Sequence, residues 1–286
     1  MTKKNQRRSA SHPKGVLLVS ISDLQSGSDQ ALFPTWGIRK EKTAANDDKP
    51  GMMVGSARQD RLFLHFANCA KEVKKRIGGN RLVVVHNGDA IEGNHHRTIQ
   101  IMSVNEKDHI NIHTELMDYF LRNIGFTRKR GDELHYISGT EAHTKNYELE
   151  ISRYYDHLDA QYHDECKMVV NGRWVWYTHH GGGAGDGQNE GDAYRNWLKR
   201  IYFNNLKEKK RQPDLVLSAH VHKPIYTSYV QDYHTIHGVI LPSWQMKTRF
   251  AYKVAPFQKN AIGLTMTEIT PGGDIRVMKP LLMETE

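Results

Sequence analysis

The chain has 286 residues, 38% of them hydrophobic and 25% charged, a composition that argues against a disordered chain and suits one large domain or two small ones. No apolar run approaches the ~20 residues that a membrane helix needs, so no membrane span is expected. The formal net charge of +8 favours anionic partners such as nucleic acid, but only weakly, because much of the excess lies in the first residues and in the run 206–212.

The N-terminal residues 1–14 are predicted to form a disordered basic tail, and residues 15–286 to form a single domain. The tail has no apolar segment after its basic residues, which argues against a secretory signal. The two cysteines, Cys69 and Cys166, form neither a C-x-x-C pair nor a zinc-ribbon spacing. We therefore expect ordinary interior thiols and a location in the reducing cytoplasm.

Apolar strands alternate with amphipathic helices in the first half of the chain. In chain order the predicted elements are a strand over 15–23, a helix over 56–79, a strand over 81–93, a helix over 105–126 and a strand over 133–143. Between the first strand and the first helix lies a polar loop, residues 26–56. A loop of this length is uncommon unless it works as a lid or a binding loop.

The second half of the chain begins with a predicted β-hairpin. Asn171-Gly172 stands between two β-rich runs, which is the strongest short hairpin signal, and the second run ends in a pair of histidines. A helix is predicted over 191–210, followed by an apolar strand that also ends in histidines within 213–226. The remaining segments are β-rich with turn signals.

Five predicted strands end in loops that carry carboxylate, amide or imidazole side chains, and the carboxyl ends of strands are where open α/β folds place their sites. These loops contain Asp23 and Gln25; Asp89, Glu92 and Asn94; Gly139 to His143; His179 and His180; and His220 and His222. Mixed oxygen and nitrogen ligands suit Mn, Fe, Zn or Ni rather than calcium. The set exceeds the needs of one tetrahedral ion, whereas two ions sharing a carboxylate would use all of it and would clamp the oxygens of a transferring phosphoryl group.

The motifs "SDLQ", "GDAIEG", "GTEAH", "THHG" and "AHVH" occur in that order. In this respect the chain resembles the calcineurin-like metallophosphoesterases, whose signature runs D-x-H, G-D-x-x-D/E, G-N-H-D/E, a lone H and G-H-x-H. The resemblance covers residues 15 to 225 and is greatest to bacteriophage and bacterial members with a G-T-x-A-H loop. It implies an α/β fold, a four-layer α/β/β/α sandwich, with a site at the strand ends where metal-activated water attacks phosphorus in line.

The resemblance also implies a ligand set for two ions. Asp23 and Gln25 would bind the first ion together with His222, and Asp89 would bridge both ions as a catalytic and metal-binding residue. Gln25 stands where the family has histidine. Because an amide oxygen is a hard and weak donor, we expect manganese as the most favoured metal, with magnesium, iron, zinc and nickel as alternatives.

The second ion would take His220 and either His179 or His180, between which the sequence does not choose. A further ligand would come from the loop 139–143, where Thr140 replaces the asparagine of the family. His143 is the candidate in this loop, either as a metal ligand or as the catalytic acid that protonates the leaving group.

Four residues after the second strand are candidates for contacting the substrate: Asn94, His95, His96 and Arg97. Arg97 suits a phosphate. A solvated turn explains the two histidines about equally well.

The leading function is a dinuclear metal-dependent phosphoesterase acting on phosphodiesters, nucleic acid or nucleotide, over phosphomonoesters. The alternatives are a phosphomonoesterase, including a protein phosphatase, and a non-catalytic module of this fold that binds nucleic acid or protein. A mononuclear hydrolase of another bond is a third class, but the H-E-x-x-H signature is absent. The sequence leaves the physiological substrate and the oligomeric state open.

Overall fold

The structure is a computed structural model that describes residues 15–42, 51–94, 99–141, 147–254, 258 and 260–283. The predicted tail over residues 1–14 lies outside this part of the chain. Among the described residues, no helix combines the length and the apolar character needed to cross a membrane.

Seven strands form the first sheet, in the order β13-β12-β1-β4-β5-β6 with β14 paired to β12. Their bounds are β1 Val16–Ile21, β4 Arg81–Asn87, β5 Glu133–Ile137, β6 Gln161–His163, β12 Gly263–Ile269, β13 Ile275–Val277 and β14 Leu281–Leu282. The run β1-β4-β5-β6 is parallel, whereas β12 joins β1 antiparallel. The strands predicted at 15–23, 81–93 and 133–143 therefore lie side by side and end at the same edge.

Five strands form the second sheet, in the order β10-β11-β9-β8-β7. Their bounds are β7 Cys166–Val170, β8 Arg173–Tyr177, β9 Leu215–Ser218, β10 Ile225–Gln231 and β11 His234–Ile240. The predicted hairpin is confirmed: β7 and β8 pair antiparallel, and Asn171 and Gly172 between them both have positive φ, of 46° and 81°. Strands β8 and β9 run parallel, so their carboxyl ends also share an edge.

The structure describes five α-helices, four of which pack on the outer faces of the two sheets. Their bounds are α1 Ala57–Arg76, α2 Glu106–Ile124, α3 Tyr147–Tyr154, α4 Asp192–Lys207 and α5 Arg249–Val254. Ser56 and Gln59 form a capping box at the start of α1, and Gly125 ends α2 in the left-handed conformation. The helices predicted at 56–79, 105–126 and 191–210 are confirmed.

Three apolar clusters separate the layers. Alternate residues of β1 face opposite sides: Leu17 packs with the cluster under α1 and α2, whereas Leu18 packs in the cluster between the two sheets. On the far side, Leu198 of α4 packs against Val216 of β9. The layer order is therefore helix, sheet, sheet, helix, which confirms the expected α/β/β/α sandwich.

The loop 26–56 is partly described. Four of its residues form two short paired strands, β2 Ile38–Arg39 and β3 Met52–Met53. Ile38, Met53 and Phe33 are buried in the cluster under the helices. Trp36 stands edge-on to Phe63 of α1, with ring centroids 5.2 Å apart. The described part of the loop is thus packed on the body of the protein, and its role as a lid stays a prediction.

Candidate metal centre

The loops that follow β1, β4, β5, β8 and β9 meet at one edge of the sandwich. Backbone hydrogen bonds tie them together: the Asp23 N–H donates to Gly88 O and the Gln25 N–H to Asp89 O, each at 3.0 Å. Across the second sheet, the Ala219 N–H donates to His179 O, also at 3.0 Å. These bonds hold the motif residues at fixed positions relative to one another.

Backbone strain is concentrated in these loops. Half of the ten described non-glycine residues with positive φ belong to the predicted ligand set: Asp23, Gln25, Asp89, His220 and His222, with φ between 44° and 71°. Each such residue costs on the order of 1–3 kcal/mol and persists only where the surroundings enforce it. Residues that keep such backbone strain while their side chains converge on one region are typical of a functional site.

Asp89 lies at the centre of the cluster and is 1% exposed. Its Oδ1 accepts a hydrogen bond from the Thr140 N–H at 2.6 Å. Its Oδ2 lies 3.0 Å from Gln25 Nε2, 3.3 Å from Thr140 Oγ1 and 3.3 Å from His179 Nε2. This buried carboxylate thus contacts the ends of three other strands, and its role as a bridging ligand stays a prediction.

Two glycines allow this close approach. Gly88 has a φ of 84°, and a Cβ there would stand 2.3 Å from His179 Nδ1. A Cβ on Gly139 would stand 2.3 Å from the Asp89 backbone nitrogen and 2.4 Å from its Oδ1. Any side chain at either position would push the Asp89 loop away from its neighbours.

A second group of contacts surrounds Asp23, which is fully buried. Its Oδ1 lies 3.1 Å from His222 Nε2, and its Oδ2 accepts a long hydrogen bond of 3.4 Å from the His220 N–H. The other ring nitrogen of His222, Nδ1, lies 3.0 Å from Asn260 Nδ2, which donates to it. His222 is thus oriented with Nε2 facing the carboxylate.

His179 and His180 take different positions. His179 is 2% exposed, and its Nδ1–H donates to Asn87 O at 2.8 Å, which turns Nε2 toward Asp89. His180 is exposed, and its ring lies 4.6 Å from the ring of His220, centroid to centroid. His220 is itself exposed and places Nδ1 3.3 Å from Thr140 Oγ1. The first histidine therefore faces the buried carboxylate, and the second lies toward solvent.

The electrostatics of the cluster favour a positive charge at its centre. Burial by itself lowers the pKa of His179, but the carboxylates of Asp89 and Asp23 outweigh it and raise this pKa to about 10. Burial also opposes the charged form of His222, and Asp23 again raises the pKa. In contrast, burial and the neighbouring His179 lower the pKa values of His180 and His220. The buried carboxylates thus attract a cation, whether a proton or a metal ion.

The donor set fits divalent metal ions. Asp23, Asp89 and His179 each offer a ligand atom, all within 4.8 Å of one another, and His179, His180 and His220 form a second such group. The Oε1 atom of Gln25 is buried and has no hydrogen-bond partner among the described residues, while its Nε2 donates to Asp89. A buried amide oxygen without a donor is costly, and a cation at this place would satisfy it.

The described part of the chain brings six of the predicted ligands together: Asp23, Gln25, Asp89, His179, His220 and His222, with His180 beside them. Asn94 contacts a helix instead: its backbone N–H donates to a side-chain oxygen of Glu106 on α2 at 3.2 Å. His143, His95, His96 and Arg97 lie outside the described residues. Their roles stay predictions, as does substrate contact by Asn94.

Sequence reasoning missed the residues that orient the histidines. Asn87 accepts from His179 through its carbonyl oxygen and donates from its side chain to Thr178 O at 3.1 Å. Asn260 lies 38 residues beyond His222 in a β-rich segment without a motif. Asn87 directly precedes the "GDAIEG" motif and could have been considered, whereas no local signal marks Asn260.

No protein-family model and no curated protein matches this chain. The solved structures similar to it include an archaeal phosphodiesterase, with 9% identity, a TM-score of 0.40 and coverage of 93% of this chain and 99% of that chain. A predicted phosphoesterase from Streptococcus pneumoniae has 10% identity, a TM-score of 0.35 and coverage of 88% and 82%. Zinc-complexed Vps29 from Entamoeba histolytica has 12% identity, a TM-score of 0.38 and coverage of 93% and 99%.

At this level of similarity, neither mechanism nor substrate transfers from those proteins to this chain. The layer order and the positions of the motifs are observed directly in the structure of this chain. The closeness to bacteriophage members stays a prediction. In layer order and in the placement of its described motifs, the chain has the features expected from its resemblance to the calcineurin-like metallophosphoesterases.

Proposed function

We propose that this chain is a metal-dependent phosphoesterase that binds two divalent ions at the strand ends and acts on phosphodiesters, nucleic acid or nucleotide, in preference to phosphomonoesters. The observation that carries the proposal is the buried group of Asp23, Asp89 and His179, whose ligand atoms lie within 4.8 Å of one another. Beside this group is the unpaired amide oxygen of Gln25. Buried carboxylates are tolerated when they are paired or bind metal.

On the basis of these contacts we divide the proposed ligands between two ions. Asp23, Gln25 and His222 would hold the first, Asp89 would bridge, and His179 and His220 would hold the second with Thr140 beside them. When bound, such ions lower the pKa of a coordinated water and neutralise negative charge on the phosphoryl group. We assign the inner position to His179, because its Nε2 faces Asp89, and place His180 at the solvent side.

Three residues of the chain fix the orientation of these ligands. The Asn87 carbonyl holds the Nδ1–H of His179, and Asn260 donates to Nδ1 of His222. Thr140 donates to Asp89 through both its backbone N–H and its hydroxyl. Such outer partners set the tautomer and direction of each ligand and typically contribute 10- to 100-fold in metal affinity or activity.

We place the substrate at the exposed, solvent side of the proposed ligands. His180 and His220 are exposed, and their lowered pKa values keep both imidazoles uncharged at neutral pH. Attraction of an anionic ester then falls to the ions and to Arg97, one of the substrate-contact candidates. His143 is proposed either as the acid for the leaving group or as a further ligand.

Manganese is the proposed metal, because the amide oxygen of Gln25 is a hard donor. A cytoplasmic location belongs to the same proposal and is supported by two buried cysteines that form no disulfide, as expected in a reducing compartment. A single domain over residues 15–286 is likewise proposed.

The test is metal-dependent hydrolysis of two chromogenic esters. Protein purified without chelators is assayed with bis-p-nitrophenyl phosphate and p-nitrophenyl phosphate in added manganese, and its metal content is measured. At least two bound ions per chain and faster turnover of the diester are expected. Faster turnover of the monoester would overturn the diester preference, and absence of both hydrolysis and bound metal would indicate a non-catalytic binding module instead.

A further inference from the structure

A second group of potential metal-ligand side chains, which shares no residue with the strand-end centre, lies at the corner where the edge strands of the two sheets meet. His135 lies on β5, His163 on the edge strand β6 and Cys166 at the start of the other sheet's edge strand, β7. The potential ligand atoms of these three residues lie within 4.8 Å of one another. Only two residues separate His163 from Cys166, so the chain passes from one sheet to the other at this point.

Strand register directs all three side chains into the space between the sheets. Ile137 stands opposite His163 in the β5–β6 ladder, and His135 lies two residues earlier on the same face as Ile137. Ile137 and Cys166 both belong to the apolar cluster between the sheets. His135 and Cys166 are buried, whereas His163 is partly exposed and gives access from solvent.

The hydrogen bonds of the cluster direct Nδ1 of His135 toward Nε2 of His163. The Nε2 atom of His135 lies 3.2 Å from Glu133 Oε2, so the ring donates there and Nδ1 carries the lone pair. Glu133 is in turn paired with Arg81. A histidine whose outer N–H is held by a carboxylate is the usual arrangement of a zinc ligand.

The distance between the two facing ring nitrogens matches the distance expected between two ligands of one zinc ion. His135 Nδ1 lies 3.2 Å from His163 Nε2. Tetrahedral zinc with Zn–N bonds of 2.0–2.1 Å separates two nitrogen ligands by about 3.3 Å. A simple hydrogen bond between the rings would account for this distance, but it does not require the Cys166 sulfur, which lies within 4.8 Å of a nitrogen of each ring.

We propose that His135 Nδ1, His163 Nε2 and Cys166 Sγ bind a zinc ion, with solvent as the fourth ligand on the exposed side of His163. Sulfur and imidazole ligands select zinc over manganese or magnesium. The ion is structural: it joins the edge strands of the two sheets. This site is separate from the strand-end centre, whose proposed ligands are all oxygen and nitrogen atoms, and it does not depend on the proposed activity.

Cobalt substitution tests the proposal, because sulfur ligation has its own spectrum. Full-length protein freed of metal is titrated with Co²⁺, and the thiolate-to-cobalt charge-transfer absorption is recorded. We expect the band in the wild type and in Cys69→Ser, a control that removes the other buried cysteine, and its loss in Cys166→Ser. Absence of the band in the wild type, or its survival in Cys166→Ser, would overturn the proposal.

Zinc content gives an independent measurement that does not rely on Cys166→Ser folding. His163→Gln changes a partly exposed side chain, and circular dichroism checks that the variant is folded. We expect it to retain one zinc ion fewer per chain than the wild type when both are equilibrated with zinc in excess manganese, with ester hydrolysis unchanged. Equal zinc content in the two proteins would show that the rings form only a hydrogen-bonded pair.

The carboxylate of Glu133, which accepts the hydrogen bond from His135, provides a third test through its effect on zinc affinity. Glu133→Gln keeps the size of the side chain but weakens its hold on the ring N–H. We expect 10- to 100-fold weaker zinc binding in competition with a chromogenic chelator. The charge-transfer band should persist at saturating cobalt, because all three ligands remain. Unchanged zinc affinity would contradict the assigned tautomer of His135.

Discussion

Replacing Asp89 by asparagine should abolish hydrolysis while leaving the fold intact. The carboxylate is 1% exposed and receives donors from three strand ends: Thr140, Gln25 and His179. Asparagine has nearly the same shape but carries no charge, and it offers one acceptor oxygen in place of two. The substitution therefore separates the electrostatic role of this residue from its packing role.

The structure shows how the metal-free variant can remain folded. With the asparagine oxygen in the Oδ1 position, the Thr140 N–H keeps its acceptor, and the new NH2 faces Gln25 and His179. His179 can accept through Nε2, because its Nδ1 already donates to Asn87, and the amide of Gln25 can rotate to present its oxygen. The expected loss in the free energy of unfolding is about 1–3 kcal/mol, that of one charge-assisted hydrogen bond.

The same rearrangement removes the metal site. The oxygen of Gln25 and the ring lone pair of His179 would both be occupied by the new amide, and the bridging negative charge would be gone. Metal ions contribute several kcal/mol of charge stabilisation to such reactions. At 1.36 kcal/mol per tenfold, a loss of about 4 kcal/mol lowers turnover by roughly 10³-fold.

Three measurements check this prediction: ion content after equilibrium dialysis against manganese, turnover of bis-p-nitrophenyl phosphate at saturating manganese, and the melting curve of the metal-free protein. Asp132→Asn is the matched control. Asp132 is fully buried and accepts hydrogen bonds from Leu82, Thr127 and Arg130, at the opposite ends of the strands. It should lower stability but retain ions and turnover. Near wild-type turnover in Asp89→Asn would refute the bridging role.

Three further predictions concern individual ligands. Gln25→His should tighten metal binding and reduce the dependence on added manganese; an unchanged manganese curve in a protein that keeps both ions through dialysis would remove Gln25 from the ligand set. His143→Ala should lose metal if His143 is a ligand, or keep metal and slow most for poor leaving groups if it is the acid; unchanged rate and metal would remove it from the site. In the metal-free protein, the pKa of His179 is raised from 6.5 to about 10, so the stabilising contribution of its charge is complete below pH 6.5 and is lost as the pH rises to about 10. The difference in melting temperature between the wild type and His179→Gln should therefore shrink over that range. A difference that stays constant with pH would contradict this role of His179.

The sequence by itself determined the fold class and the location of the centre. Apolar strands that end in Asp, Gln or His predicted a site at one edge of a sandwich, because the carboxyl ends of parallel strands meet there. The order of five motifs then identified the ligand candidates. These inferences succeed because the alternation of strand residues and the polar strand ends are local properties of the chain.

Only the tertiary structure separated His179 from His180. Adjacent residues at the end of a strand point in opposite directions, and which of them faces inward depends on how the second sheet packs against Asn87 and Asp89. The partner of His222 depends on packing in the same way, because Asn260 reaches it from a segment 38 residues away.

The corner cluster was also beyond the sequence. Cys166 had no C-x-x-C partner, and His135 and His163 are 28 residues apart and belong to no motif. Their convergence follows from the register of β5 with β6 and from the packing of one sheet's edge against the other. Local patterns specify which face of a strand is buried, but contacts between faces are fixed by the assembly of the whole core, since burial is a property of the packed layers and not of any single segment.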